Sequence, residues 1–250
     1  MDKVEAVKAF AVMAKMQDDL NTKTNPSWRH SNYPWYRALW TEAAEAGNYI
    51  AWPWWRSVGT KIFATRKDEL QCFMELADSL HFGISMYLQS LAIAVTDTPD
   101  DFIADHGHAA NMLAEALEHA MARTVHRNDT AMDLIESVAR DALDDHAFNA
   151  SALFAAAYKA GLGETGLIAY YHGKNILNGF RQENGYKQGT YVKNWGSNTA
   201  PEEDNVYLAE AIEEYRNIWG DAKLLTQVNN GDFAFHVKRA LTKKYQSLKD

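Results

Sequence analysis

The sequence predicts an all-α protein, and three observations carry that prediction. Apolar residues recur at three- and four-residue spacing along most of the chain. Proline is scarce, with 5 in 250 residues, while alanine, the strongest helix former, is plentiful. No alternating apolar–polar run is long enough to suit a half-buried strand.

Taken in order, Val4, Val7, Phe10, Ala11 and Ala14 form one apolar stripe of a helix over residues 2–20. A second helix is predicted over 33–50. Pro34 falls in its first turn, where the missing N–H leaves no hydrogen bond unmade. A third covers 67–95. Thr98-Pro99-Asp100-Asp101 reads as the start of a helix reaching 126, with a capping threonine, a first-turn proline and acids that suit the positive end of the macrodipole. Helices follow over 129–146, 148–160 and 164–181. Asn184-Gly185 marks a turn, and residues 184–200, rich in Gly, Asn and Thr without helical period, predict a loop in which only 190–193 has strand character. Helices resume over 201–219 and 233–247. No repeat, low-complexity tract or linker interrupts the chain, so one all-α domain over 1–250 is the simplest organisation.

Bulk composition excludes several function classes. An apolar content of 47% is ordinary for a globular protein, so disorder is not the default reading. A net charge of −8 argues against a long nucleic acid as partner but leaves room for a small anion met by local cations or a metal. Cys72 is the single cysteine, so no intrachain disulfide can form, which fits a reducing compartment. The charged, amphipathic N-terminus lacks the apolar run of a signal peptide. The longest apolar stretch, residues 82–95, is too short and interrupted to span a bilayer. The expectation is a soluble cytoplasmic protein with no membrane partner.

Chemistry enters with two acidic pairs. Glu42 and Glu45 stand at i and i+3, roughly 60° apart on one helix face, among Leu39, Ala43 and Ala46. Glu75 and Asp78 repeat the spacing among Phe73, Met74, Leu76 and Leu80, and His81 adds a further step on that stripe. Like charges on apolar faces repel unless a cation holds them. If the two helices pack antiparallel, four carboxylates converge. Four hard oxygen donors suit Mg²⁺ or Mn²⁺ better than Zn²⁺, since no Cys/His set accompanies them. Mg²⁺ held by a few carboxylates most often serves a phosphate substrate. The matching cations lie in residues 174–193: Lys174, Asn178 and Arg181 share a helix face at i, i+4 and i+7, followed by Lys187 and Lys193 with Tyr186 and Tyr191 between them.

Five blocks in this order carry a resemblance: "MQDDLN" (16–21), "WTEAAEAGNYIAWPWWR" (40–56), "ELADSLHF" (75–82), "YHGKNILNGFRQENGYKQGTYVK" (171–193) and "EDN" (203–205). The chain resembles the dimeric, all-α dUTPase family, within the all-α nucleoside triphosphate pyrophosphatases. The resemblance implies a helical bundle, with the helical segment at about 96–165 as an addition. It implies Glu42, Glu45, Glu75 and Asp78 as ligands of Mg²⁺ (or Mn²⁺), with Glu42 positioning or deprotonating the attacking water. Gln17, Asn21, Trp55 and His81 would lie near base and sugar, and Asn178 would contact the nucleoside. Lys174, Arg181, Tyr186 and Lys193 would hold phosphate oxygens; Arg56 and Asn205 join the substrate-binding set. The implied reaction is attack of water at the α-phosphorus of a deoxynucleoside triphosphate, with dUTP as first candidate and dCTP as second, giving a monophosphate and pyrophosphate. A homodimer is also implied. One departure stands out: where the family carries Trp-Lys-Trp-Trp-Lys, this chain has Pro53 and Arg56 in place of the lysines.

Two other readings of the same residues stay open. Asp78–His81 and Asp105–His108 are acid-x-x-His pairs of the kind di-iron carboxylate bundles use. Alternatively, the tryptophan-rich segment could be the binding face of a non-catalytic helical protein.

Overall fold

The computed structural model describes residues 1–55, 61–94, 102–103, 105–126, 128–197 and 199–248. These hold ten α-helices: α1 (Lys3–Thr24), α2 (Trp35–Tyr49), α3 (Arg66–Ser90), α4 (His106–His126), α5 (Ala131–Asp144), α6 (Ala150–Lys159), α7 (Gly163–Glu183), α8 (Asp204–Trp219), α9 (Asp221–Asn230) and α10 (Asp232–Gln246). The two-residue strands β1 (Ile93–Ala94) and β2 (Phe102–Ile103) pair antiparallel, Ile93 opposite Ile103. The protein is all-α.

Several helix starts have a local cause. Asp2 with Glu5, Thr65 with Asp68, and Thr130 with Asp133 each form a capping box, in which two otherwise unmet backbone N–H groups are satisfied reciprocally. α3 is the central element. Its buried residues run from Gln71 to Leu88 around most of its circumference, the pattern of a helix enclosed by others; α1, α2, α4, α6, α7 and α8 all pack on it. α2 runs antiparallel to α3. At one end Tyr33 N and Trp35 Nε1 both donate to Gln89 Oε1 (3.1 and 2.9 Å). At the other, Ala51 N donates to Ile62 O (2.8 Å) and Ile50 bridges to Phe63, ahead of α3's first residue. α7 and α8 approach closely at Gly173, where an added Cβ would lie 2.6 Å from Ile212 Cδ1.

Four sequence expectations are corrected. The helix predicted from Thr98 begins at His106, because Phe102–Ile103 pair as β2; Thr98–Asp101 lie outside the described residues. α3 ends at Ser90 rather than 95, where the chain leaves to form β1. The gap predicted between 219 and 233 holds α9, set off by Gly220 and Gly231 in positive-φ conformations (66° and 87°) that let the chain turn without ending the helical run. Residues 190–193 form no strand. Instead Asn194 bridges to Glu203, Trp195 N donates to Glu202 O (2.7 Å), and Asp204 N donates to Lys193 O (3.0 Å). The loop after α7 is thus folded back on the start of α8. It is pinned by Trp195, 1% exposed, against Phe180, Tyr207 and Tyr245.

Candidate active site

The antiparallel pairing of α2 and α3 turns the two i, i+3 acidic pairs toward each other. Glu42, Glu75 and Asp78 each offer an oxygen within 4.8 Å of the others'. Glu45 does not join that trio. It lines the same cavity from an exposed position, which keeps a fourth like charge hydrated rather than crowded into the cluster. The cavity measures about 750 Å³ and is closed on the far side by α7, the loop after it and the start of α8. Lys174, Asn178, Arg181, Tyr186, Lys193 and Asn205 all line it, so acids and cations share one space. Tyr49, Lys67, Gln71, Phe82 and Glu203 line it too.

The acids are under electrostatic stress. Burial, then the charges of Asp78, Glu75 and Glu45, push the Glu42 carboxyl up to about 8, with Lys174 opposing. Burial also raises Glu75, against the pull of Lys174 and with the repulsion of Asp78 and Glu45. Asp78 is relieved by a short ion pair with Lys174 (2.6 Å), whose Nζ also donates to Asn205 Oδ1 (3.1 Å).

The cations across the cavity are held more fully. Arg181 clasps Asp204 in a bidentate pair, Nε to Oδ2 at 2.9 Å and Nη2 to Oδ1 at 2.8 Å. It reaches Asn205 Oδ1 (3.2 Å) and Asn178 Oδ1 (3.4 Å) as well. Tyr191 OH donates to Asp204 Oδ2 (2.7 Å), and the Asp204 side chain is fully buried. Lys193 pairs with Glu203 (2.8 Å) at the exposed rim.

Gln17, Asn21 and His81 are not on the cavity wall. They form a buried polar knot between α1, α3 and α7, beside the acids because His81 follows Asp78 by one turn of α3. Ser85 is its hub. Its Oγ accepts from Gln17 Nε2 and from Asn21 Nδ2, both at 3.0 Å, and donates to His81 O (2.9 Å). Gln17 Oε1 meets His81 Nδ1 (2.6 Å) and Tyr171 OH (3.2 Å), and the His81 and Tyr171 rings stack with centroids 3.9 Å apart. Burial lowers the His81 imidazole to about 4, so it is neutral at physiological pH. Its ring nitrogens face Gln17 and the Tyr171 carbonyl, not the carboxylates. The His81 half of the acid-x-x-His reading is therefore absent from the cluster. In Asp105–His108 the acid caps α4, accepting from His108 N (2.8 Å).

Trp52, Trp54 and Trp55 are exposed (45%, 86% and 59%) and pack edge to face on one another, away from the core. Trp55 does not reach the cavity lining. Arg56 lies outside the described residues. Sequence reasoning did not single out Ser85, Tyr171 or Asp204. Asp204 stands in the quoted "EDN" block, and Ser85 is one turn beyond His81, but nothing local marks either as a hub.

A sequence model of the family described as dUTPase matches residues 9–186, which is 178 of the 250 residues. That span runs from α1 through α7 to Tyr186 and includes the acidic trio, the buried knot and the α7 cations. No curated protein matches the chain.

Proposed function

We propose that this chain, which belongs to the dUTPase family, hydrolyses dUTP at the α–β phosphate bond, giving dUMP and pyrophosphate in the cavity between α2–α3 and α7–α8. One observation carries the reading: three carboxylates gathered within 4.8 Å share a cavity of about 750 Å³ with Lys174, which pairs directly with Asp78, and with Arg181. A triphosphate needs both walls.

The donor set fits Mg²⁺, with Mn²⁺ as substitute. It is all oxygen, lacks a soft ligand, and carries raised carboxyls whose charge a divalent cation would relieve. Glu42, Glu75 and Asp78 would hold the ion, with Glu45 at the rim. Bound there, Mg²⁺ supplies positive charge to the phosphates and to the leaving pyrophosphate.

The chain's own groups do the rest. Lys174, Arg181 and Lys193 offer N–H donors to phosphate oxygens from fixed positions, so little reorganisation opposes the charge shift of the transition state. Tyr186 adds a hydroxyl. Glu42 takes a proton from the attacking water at its carboxylate oxygen. Asn178 and Asn205 meet the nucleoside end. Gln17, Asn21 and His81 read the base once it displaces Phe82, the cavity-lining residue next to His81. Trp55 and Arg56 belong to the substrate-binding set of this reading, and the working unit is a homodimer.

A substrate panel of dUTP, dCTP, dTTP, dATP, dGTP and UTP with Mg²⁺, scored for monophosphate and pyrophosphate, tests this. The expected order puts dUTP first. No pyrimidine deoxynucleotide preference would overturn the specificity, and no turnover of any nucleotide would overturn the activity.

A further inference from the structure

A second cavity, of about 490 Å³, lies beside the first on α7. It is walled by Met16, Leu20 and Lys23 of α1, Asn175 and Gly179 of α7, and Lys187 of the following loop. Its polar groups are unevenly satisfied. The two acids that border it are already paired outward: Asp19 with Lys15 (2.7 Å) and Glu183 with Lys238 (2.9 Å). The carbonyls at the ends of both helices are also taken. On α1, Leu20 O accepts from Thr24 Oγ1, Asn21 O from Asn25 N, and Lys23 O from Lys187 Nζ. On α7, Phe180 O, Arg181 O and Gln182 O accept from the backbone of residues 184–186. What remains is donors. Lys23 and Lys187 have no carboxylate within ion-pair distance among the described residues, and Asn175 has a buried amide nitrogen with no acceptor.

The geometry points to a binding site for a small organic phosphate, separate from the acidic cavity. Two ammonium groups supply donors to a dianion beside the unmet, buried amide nitrogen of Asn175, while Met16, Leu20 and the bare backbone at Gly179 offer an apolar wall for its carbon skeleton. Space is available there, because a Cβ built on Gly179 meets nothing within 4 Å. The site is wired to its neighbour. Asn175 and Gly179 each follow a cavity residue, Lys174 and Asn178, about 100° round the same helix, and Lys187 follows Tyr186. A ligand that gathers Lys23 and Lys187 therefore ties α1 to the loop that carries Tyr186.

Calorimetric titration of the full chain in EDTA, with inorganic phosphate and ribose 5-phosphate as probes, tests the site without turnover. Its outcome is thus independent of whether dUTP is hydrolysed. Ribose 5-phosphate should bind more tightly than inorganic phosphate. Lys23→Gln should weaken it about tenfold, the loss expected for one charge-assisted hydrogen bond. Gly179→Met, whose Cβ meets nothing within 4 Å and whose side chain would occupy the cavity, should abolish binding, and Glu42→Gln should leave it unchanged. Absence of binding at millimolar probe, equal affinity for the two probes, or affinity untouched by both Lys23→Gln and Gly179→Met would overturn the assignment. So would tighter binding in Glu42→Gln, since removing a carboxylate favours an anionic probe only if it sits in the acidic cavity.

Discussion

The acidic and basic walls of the main cavity are both charged clusters, yet they are held in different ways. On α2 and α3, carboxylates crowd one another and Glu42 and Glu75 are driven toward neutrality. On α7 and α8, Arg181 is clasped by Asp204, which is itself braced by Tyr191. The first wall stores unfavourable electrostatics that a cation would release; the second is complete as it stands. Substitutions should therefore separate activity from stability, one wall at a time.

The largest effect is expected at the acidic wall. Glu42→Gln should lower kcat for dUTP by about 10²–10⁴-fold, the range for loss of a general base, while the melting temperature holds or rises. A pyrophosphate-release assay with parallel thermal melts would read both; activity within a few fold of the parent would break the comparison.

At the basic wall the balance reverses. Asp204→Ala strands the Arg181 guanidinium, 12% exposed as a side chain, and loss of one partner from a buried pair costs about 3–5 kcal/mol. Urea unfolding should show it. A midpoint unchanged from the parent would mean that this wall is no more braced than the other.

How much of this was legible beforehand follows the range of the interactions. Glu42, Glu45, Glu75 and Asp78 stood out because i, i+3 spacing is local and helix geometry turns it into direction. Most helices were legible within a few residues for the same reason, since Val4, Val7, Phe10 and Ala14 announce α1 by period alone. Asp204, Ser85 and Tyr171 were not. Their importance comes from partners 23, 64–68 and 154–158 residues away, which no local pattern encodes. α9 escaped notice because a helix of ten residues hemmed by Gly220 and Gly231 has the composition of a loop. The exposure of Trp52, Trp54 and Trp55 is likewise set by tertiary placement, since large aromatics suit either a core or a surface.

The buried knot sharpens the contrast as a third, neutral region. Ser85→Ala removes the acceptor of two buried amide N–H groups, and leaving buried donors unmet costs about 1–3 kcal/mol. Because Gln17 and Asn21 lose their shared anchor, KM for dUTP should rise more than kcat falls. Steady-state kinetics and unfolding on the same preparation would check this, and an unchanged KM would detach the knot from base reading.

The smallest effect is a pH dependence. Folding raises the Glu42 and Glu75 carboxyls above their usual value near 4.5, so the folded chain keeps protons that the unfolded chain has lost. Stability from these groups is thus full below that value and falls as pH rises toward about 8. In EDTA, the melting temperature of Glu42→Gln should match the parent at acid pH and exceed it increasingly toward alkaline pH. Added Mg²⁺ should stabilise the parent more at alkaline than at acid pH. A constant difference across the range would contradict the crowding of the acidic wall.

The central claim is that this crowding exists to hold a divalent cation beside a triphosphate. It is tested most directly by following dUTP with the purified chain as Mg²⁺ is titrated from EDTA upward, with products resolved by chromatography. The account predicts dUMP and pyrophosphate in equal amounts, dependent on Mg²⁺ and lost in Asp78→Asn. Full turnover in EDTA, or dUDP and inorganic phosphate as products, would contradict it.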